Sequence, residues 1–140
     1  MYDVRVVSRL DLASFQKALA SLDRAIVRAQ AAPEDEELRD AVIQRFEYTY
    51  EISWKMLKRQ VELEHPSPAE VDSLSFADLL RESAERGLID DVGRWLDFRE
   101  QRNIASHTCD RGKAVCVYTG AVQFAAEARR LLEKIAGRNA

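Results

Sequence analysis

Apolar residues recur along this chain at intervals of three and four, the spacing that lines up one face of a helix. Leu12, Phe15, Leu19, Leu22 and Ile26 form the first such stripe, which predicts a helix from about Asp11, a candidate N-cap, to about Ala31. Pro33 breaks the pattern. The carboxylates Glu34, Asp35, Glu36 and Glu37 then suit the positive end of a second helix dipole, and a solvated helix start explains them better than a metal site. That second helix is expected from about Glu34 to about Leu63 on Leu38, Val42, Phe46, Tyr50, Trp54, Leu57 and Val61. Beside them run Glu47, Glu51, Lys55 and Arg59, each four residues from the last, a pattern expected of a solvated face.

His65-Pro66-Ser67-Pro68 ends the second helix, because proline disfavours helical geometry in the residue before it, and His65 is expected to be an exposed loop residue without a role. Ser75 and Asp78 resemble a capping box ahead of a short helix carrying Phe76, Leu79 and Leu80, which ends near Gly87. Asp90 or Asp91 caps the next helix, with Val92, Trp95, Leu96 and Phe98. Asp110-Arg111-Gly112 reads as a turn, and a last helix is expected from about Ala114 to about Ile135. Four substantial helices and one short one, joined by short loops, predict an all-α protein, an antiparallel four-helix up-and-down bundle with one extra short helix, as a single domain over residues 1–140.

Composition sharpens this picture in a few places. Hydrophobic residues are 46% and charged residues 32% of 140, with five glycines and three prolines, as expected of a helix-rich globular chain. A net charge of −3 gives no bulk attraction to nucleic acid, so any such contact needs a local basic patch. No apolar run is long enough to span a bilayer and no signal-peptide layout opens the chain, so no membrane contact and a cytoplasmic location are expected. Cys109 and Cys116 are expected to be free thiols. No Cys-x-x-Cys, His-x-x-x-His, glycine-rich phosphate loop or Gly-x-Ser-x-Gly is found, and neither a metal nor a cofactor is expected.

The stretch with most chemistry is Arg102-Asn103-Ile104-Ala105-Ser106-His107-Thr108-Cys109. An arginine keeps its charge, and a histidine gains or loses a proton near neutral pH, so the pair could hold a phosphate and move a proton at it. On one helix, five positions put the two side chains about 140° apart. They converge only if the helix ends between them or if a second copy of the chain brings its own pair alongside. By spacing alone, a surface arginine paired with a carboxylate and a histidine closing a helix is the commoner explanation.

Two stretches carry a resemblance that changes those odds. Arg45-Phe46-Glu47-Tyr48-Thr49-Tyr50-Glu51-Ile52-Ser53-Trp54-Lys55-Met56-Leu57-Lys58 resembles the signature helix of the bacterial nucleotidyltransferase substrate-binding proteins. Gly87-Leu88-Ile89, Trp95-Leu96 and Arg102-Asn103-x-x-Ser106-His107-Thr108 match the second half of that family in order and spacing. The family belongs to the HEPN superfamily, marked by an arginine, a polar neighbour and a histidine four to six residues on. The resemblance implies a four-helix bundle that homodimerises with its Arg/His motifs facing each other and pairs with a minimal nucleotidyltransferase encoded nearby. It also implies a toxin–antitoxin role in which the bundle is a metal-independent ribonuclease. Arg102, Asn103 and His107 then become the catalytic residues, with RNA or a nucleotide as ligand. The rival expectation is a non-catalytic subunit that binds nucleotide or substrate for the transferase.

Cys109 stands where members of this group often carry a tyrosine that accepts nucleotide from the transferase. A thiol is a poor replacement, so the partner is expected to inhibit by binding over the dimer groove, with Tyr118 a substitute acceptor only if the fold brings it near. Phe46, Tyr50, Trp54, Trp95 and Phe98 look too many for one thin bundle. A homodimer interface is therefore expected along the fourth helix, next to Arg102 and His107.

Overall fold

Side-chain caps set where three of the helices begin. The Asp35 carboxylate accepts hydrogen bonds from the backbone N–H groups of Glu37 (2.9 Å) and Leu38 (3.2 Å). Ser75 does the same for Asp78 at 3.1 Å, and Asp91 for Arg94 at 3.0 Å. Each side chain supplies a partner to an N–H that its own helix cannot satisfy. The computed structural model describes residues 10–107 and 111–140, with the side chains of all of these except Ser106, His107, Arg111 and Lys113. Among them are six helices and no strand: α1 (Ala13–Ala31), α2 (Glu36–Glu64), α3 (Pro68–Val71), α4 (Phe76–Glu85), α5 (Val92–His107) and α6 (Arg111–Arg138).

The long helices α1, α2, α5 and α6 form the antiparallel bundle that the periodicity predicts, and α4 is the extra short helix. α3 is an additional single turn in the connection, started by Pro68, whose missing N–H costs nothing at a helix start. Three local expectations are corrected. Asp11 lies one residue before the cap position and bonds the N–H of Ala13 at 2.9 Å, since the helix begins two residues later than predicted. Arg111 and Gly112 belong to the first turn of α6, not to a turn before it; Asp110 and the lead-in at residues 1–7 lie outside the described residues. His65 does have a role: it is half-buried at the end of α2, and its Nδ1 accepts from the Ser67 N–H at 2.9 Å, shaping the chain into α3.

Beneath all four long helices runs one continuous core. Phe124 of α6 stands at its centre, with ring centroids 5.3 Å from Phe46 and Phe98, 5.7 Å from Tyr50 and 5.8 Å from Trp95, all in edge-on contact. Phe46, Tyr50, Trp95 and Phe98 are each no more than 2% exposed. Trp54 sits against Phe76 of α4 at 5.7 Å. The aromatics counted as an excess are thus absorbed within one chain, and they give no ground for a dimer. α5 and α6 approach closely where the Gln101 side chain lies across Gly120, a place where a Cβ would collide with the glutamine amide. This contact sets the residue before Arg102 firmly against α6.

α4 ends in a Schellman motif. Gly87 takes φ +76°, a conformation that glycine adopts without a Cβ clash. Its N–H bonds the Ala84 carbonyl at 3.0 Å and that of Leu88 bonds Ser83 at 2.9 Å, turning buried Leu88 and Ile89 into the core and aiming the chain into α5. No helix among the described residues is long and apolar enough to cross a membrane.

Candidate functional site

The polar residues of α2 divide between two faces. On one, Arg45 donates to the Ser21 carbonyl (2.8 Å), Thr49 to that of Ala18 (3.2 Å), and Tyr48 shares a hydrogen bond with the Ser21 hydroxyl (2.8 Å). These three bolt α2 to α1. On the other face, Tyr50, Glu51, Trp54 and Lys58 line a cleft of about 380 Å³ between α2, α4 and α5. Lys58 is tied to Asp72 at 2.8 Å, which anchors the connection beyond α3 to α2 and raises the lysine pKa chiefly through that hydrogen bond.

α5 supplies the facing wall with Arg99, Arg102 and Asn103. Arg102 meets Glu51 of α2 across the cleft, Nε to carboxylate oxygen at 3.1 Å, with each side chain about one-third exposed. Arg102 is thereby held in place but remains within reach of solvent. Asn103 is exposed at the mouth. The Arg99 guanidinium lies 4.6 Å over the Phe76 ring. Three cations line this cleft; Lys58 is paired with Asp72 and Arg102 with Glu51, while Arg99 has no carboxylate paired to it among the described residues.

His107 is the last residue of α5, so the helix runs unbroken through both motif positions. The first route to convergence, a helix ending between Arg102 and His107, is excluded by this backbone. Asn103 and His107, four residues apart, share a helix face within about 40°. Arg99 lies on the same face one turn earlier. The structure therefore brings Arg102 and Asn103 to one cleft, with the His107 position one turn beyond it. Tyr118 lines a different cleft, with Pro33, Asp35 and Arg39 at the α1–α2 turn. It is no neighbour of the Arg102 cleft. Cys109 and Thr108 lie outside the described residues. Cys116 is a free, exposed thiol.

Glu51 and Arg99 are the site residues that the sequence did not single out. Glu51 sits in a four-residue charged repeat that signals a solvated face, and its Lys55 pair at 3.9 Å fits that description. Its stronger partner, Arg102, is fifty-one residues away in sequence, beyond what helix periodicity can reveal. For Arg99, the four-residue step to Asn103 and His107 was an available signal.

A family model described as nucleotidyltransferase substrate binding protein like matches residues 10–137. The chain belongs to that family. Of its relatives, the probable ribonuclease HepT of Haemophilus influenzae is 34% identical over 142 residues, covering 96% of this chain and 97% of that protein. A solved Haemophilus influenzae structure, described as the fold of a substrate binding domain of a nucleotidyltransferase, superposes with a TM-score of 0.84 at 34% identity. It covers 90% of this chain and 99% of its own. A Thermus thermophilus crystal structure matches at TM-score 0.67 and 29% identity, over 86% of this chain and 98% of that one. Gly87, Trp95 and the Arg102-Asn103 pair, which carried part of the resemblance to this family, are respectively a helix stop, a core aromatic and part of one wall of the cleft.

Proposed function

We propose that this protein is a metal-independent ribonuclease of the HEPN type, a single domain that works as a homodimer and pairs, as toxin to antitoxin, with a minimal nucleotidyltransferase. The observation that carries this reading is α5, which runs without interruption through Arg102, Asn103 and His107 beside a cationic cleft. The name of the Haemophilus influenzae relative, a probable ribonuclease, supports the same chemistry.

RNA cleavage by its own 2′-hydroxyl needs a base for that hydroxyl, an acid for the leaving oxygen and positive charge at the phosphorus. One imidazole cannot be neutral and protonated at once, but two copies of His107 across a dimer axis divide the work. Arg102 bonds the phosphate oxygens as charge builds on them, and Asn103 orients a ring nitrogen or a ribose hydroxyl. The roughly 140° between Arg102 and His107 on one helix then favours a site built by two chains.

The description of the solved relative as a substrate binding domain favours a second reading, a non-catalytic subunit presenting substrate to the transferase. Both readings are separated by purified protein and RNA. The ribonuclease reading expects cleavage that persists in EDTA and is lost in Arg102→Ala and in His107→Ala, each folded by circular dichroism. Unchanged cleavage in both variants contradicts it, and an inert wild-type protein that binds RNA transfers support to the second reading.

A further inference from the structure

The cleft between α2, α4 and α5 holds more chemistry than the Arg/His motif uses. Tyr50 lies in its floor at 1% exposure, and its hydroxyl has no hydrogen-bond partner among the described residues. Burial above all raises its pKa well beyond the ordinary value of 10.0, although the nearby charges of Arg99 and Arg102 pull the other way. The hydroxyl stays protonated and offers one donor to whatever enters. A buried hydroxyl without a partner is a cost to the fold, and phenylalanine would fill the same place without it.

The walls add two complementary features. Trp54 and Phe76 stand edge to face, 5.7 Å apart at 90°, and both line the cleft. Arg99 lies against Phe76 with no carboxylate paired to it among the described residues. An aromatic wall, an arginine without a carboxylate and a buried donor suit a planar base joined to a phosphate. The volume lies within the range of small-ligand sites.

We infer that this cleft is a nucleotide pocket, which seats a base against Trp54 and Phe76, a phosphate at Arg99 and an acceptor of the same unit at the Tyr50 hydroxyl. Arg99, Asn103 and His107 follow each other at four-residue steps, so along the helix axis the histidine position lies about 12 Å from Arg99 and about 6 Å from Asn103 at the near edge of the pocket. Resting on the ribonuclease reading, this makes it the seat of a nucleotide adjoining the cleaved bond, with Arg102 and Asn103 on the wall that the pocket shares with the cleavage point.

Calorimetric titration of AMP and of a short single-stranded RNA into the His107→Ala protein tests this. Saturable binding is expected, weakened roughly five- to tenfold by Arg99→Ala and by Tyr50→Phe, with the melting temperature of Tyr50→Phe unchanged or raised. Binding of AMP as tightly as the oligonucleotide identifies a free nucleotide as the ligand, and binding of the oligonucleotide alone identifies a strand; either supports the pocket. No saturable binding, or parental affinity in both variants, overturns it. A wild-type protein that binds the oligonucleotide through Arg99 and Tyr50 but leaves it intact removes the ribonuclease reading while the pocket stands.

Discussion

An arginine carries its charge at any pH a folded protein meets, so its chemistry depends on where the charge is held. For Arg102 the holder is Glu51, which follows the α2 residues Arg45, Tyr48 and Thr49 that bolt the helix to α1. A half-open pair of this kind contributes only about 0–1 kcal/mol to stability, so the value of Glu51 lies in positioning. If Arg102 serves RNA cleavage as proposed, Glu51→Ala is expected to lower kcat roughly tenfold with KM little changed, because a small displacement of a catalytic group is costly to rate. Glu51→Gln, which keeps an acceptor at that place, should recover part of the loss. A rise in KM alone would assign Glu51 to substrate binding instead. Arg102, Asn103 and His107 could be proposed together from sequence because they stand in one short stretch; Glu51 could not, since a carboxylate partner across a bundle leaves no local pattern. Tyr50 was legible as a core aromatic, but the lack of a partner for its hydroxyl is a property of the packed fold alone.

At the scale of elements, the helices were read from their apolar stripes, and their ends from caps. Ser75 shows how far this goes, since it bonds the Asp78 N–H as an N-cap residue should, whereas Asp35, read as one of four carboxylates in a first turn, is the N-cap itself. Pro68 was read only as a stop, although it also starts a turn of helix, because one turn is too short to have a period. The ends of α2, α4 and α6 are joined by a network that sequence could not foretell. Arg138 donates to both Glu64 carboxylate oxygens (2.8 and 2.9 Å) and to the Arg86 carbonyl, Gln60 donates to Glu64 at 2.7 Å, and Arg86 lies 3.8 Å from it. Partial burial works to raise the Glu64 pKa, but these hydrogen bonds and charges outweigh it and hold the group below its ordinary 4.5. A carboxylate depressed in the folded state stabilises above its unfolded pKa, and that contribution is lost as pH falls through the folded value. Thermal melting should therefore show Glu64→Gln less stable than wild type at pH 7, by roughly 1–3 kcal/mol, with the gap closing as the pH drops below about 4. A gap of constant size down to acid pH would mean that the charge of Glu64 is not what joins these helices.

For the whole molecule, the decisive issue is how many chains make one site. Burial of Phe46, Trp95 and Phe98 within a single bundle removes the aromatic argument for a dimer, leaving the geometry of α5 to carry it. Light scattering at micromolar concentration should give twice the monomer mass of 16.0 kDa; a stable monomer would end the composite site. The most direct test mixes wild-type and His107→Ala chains in equal amounts, unfolds and refolds them together so that they pair at random, and measures RNA cleavage per total protein. If both copies of His107 serve one site, only all-wild-type pairs are active and about one quarter of the wild-type rate remains. Retention of about one half would mean that one histidine suffices at each site, and would contradict the division of acid and base work between two copies of His107.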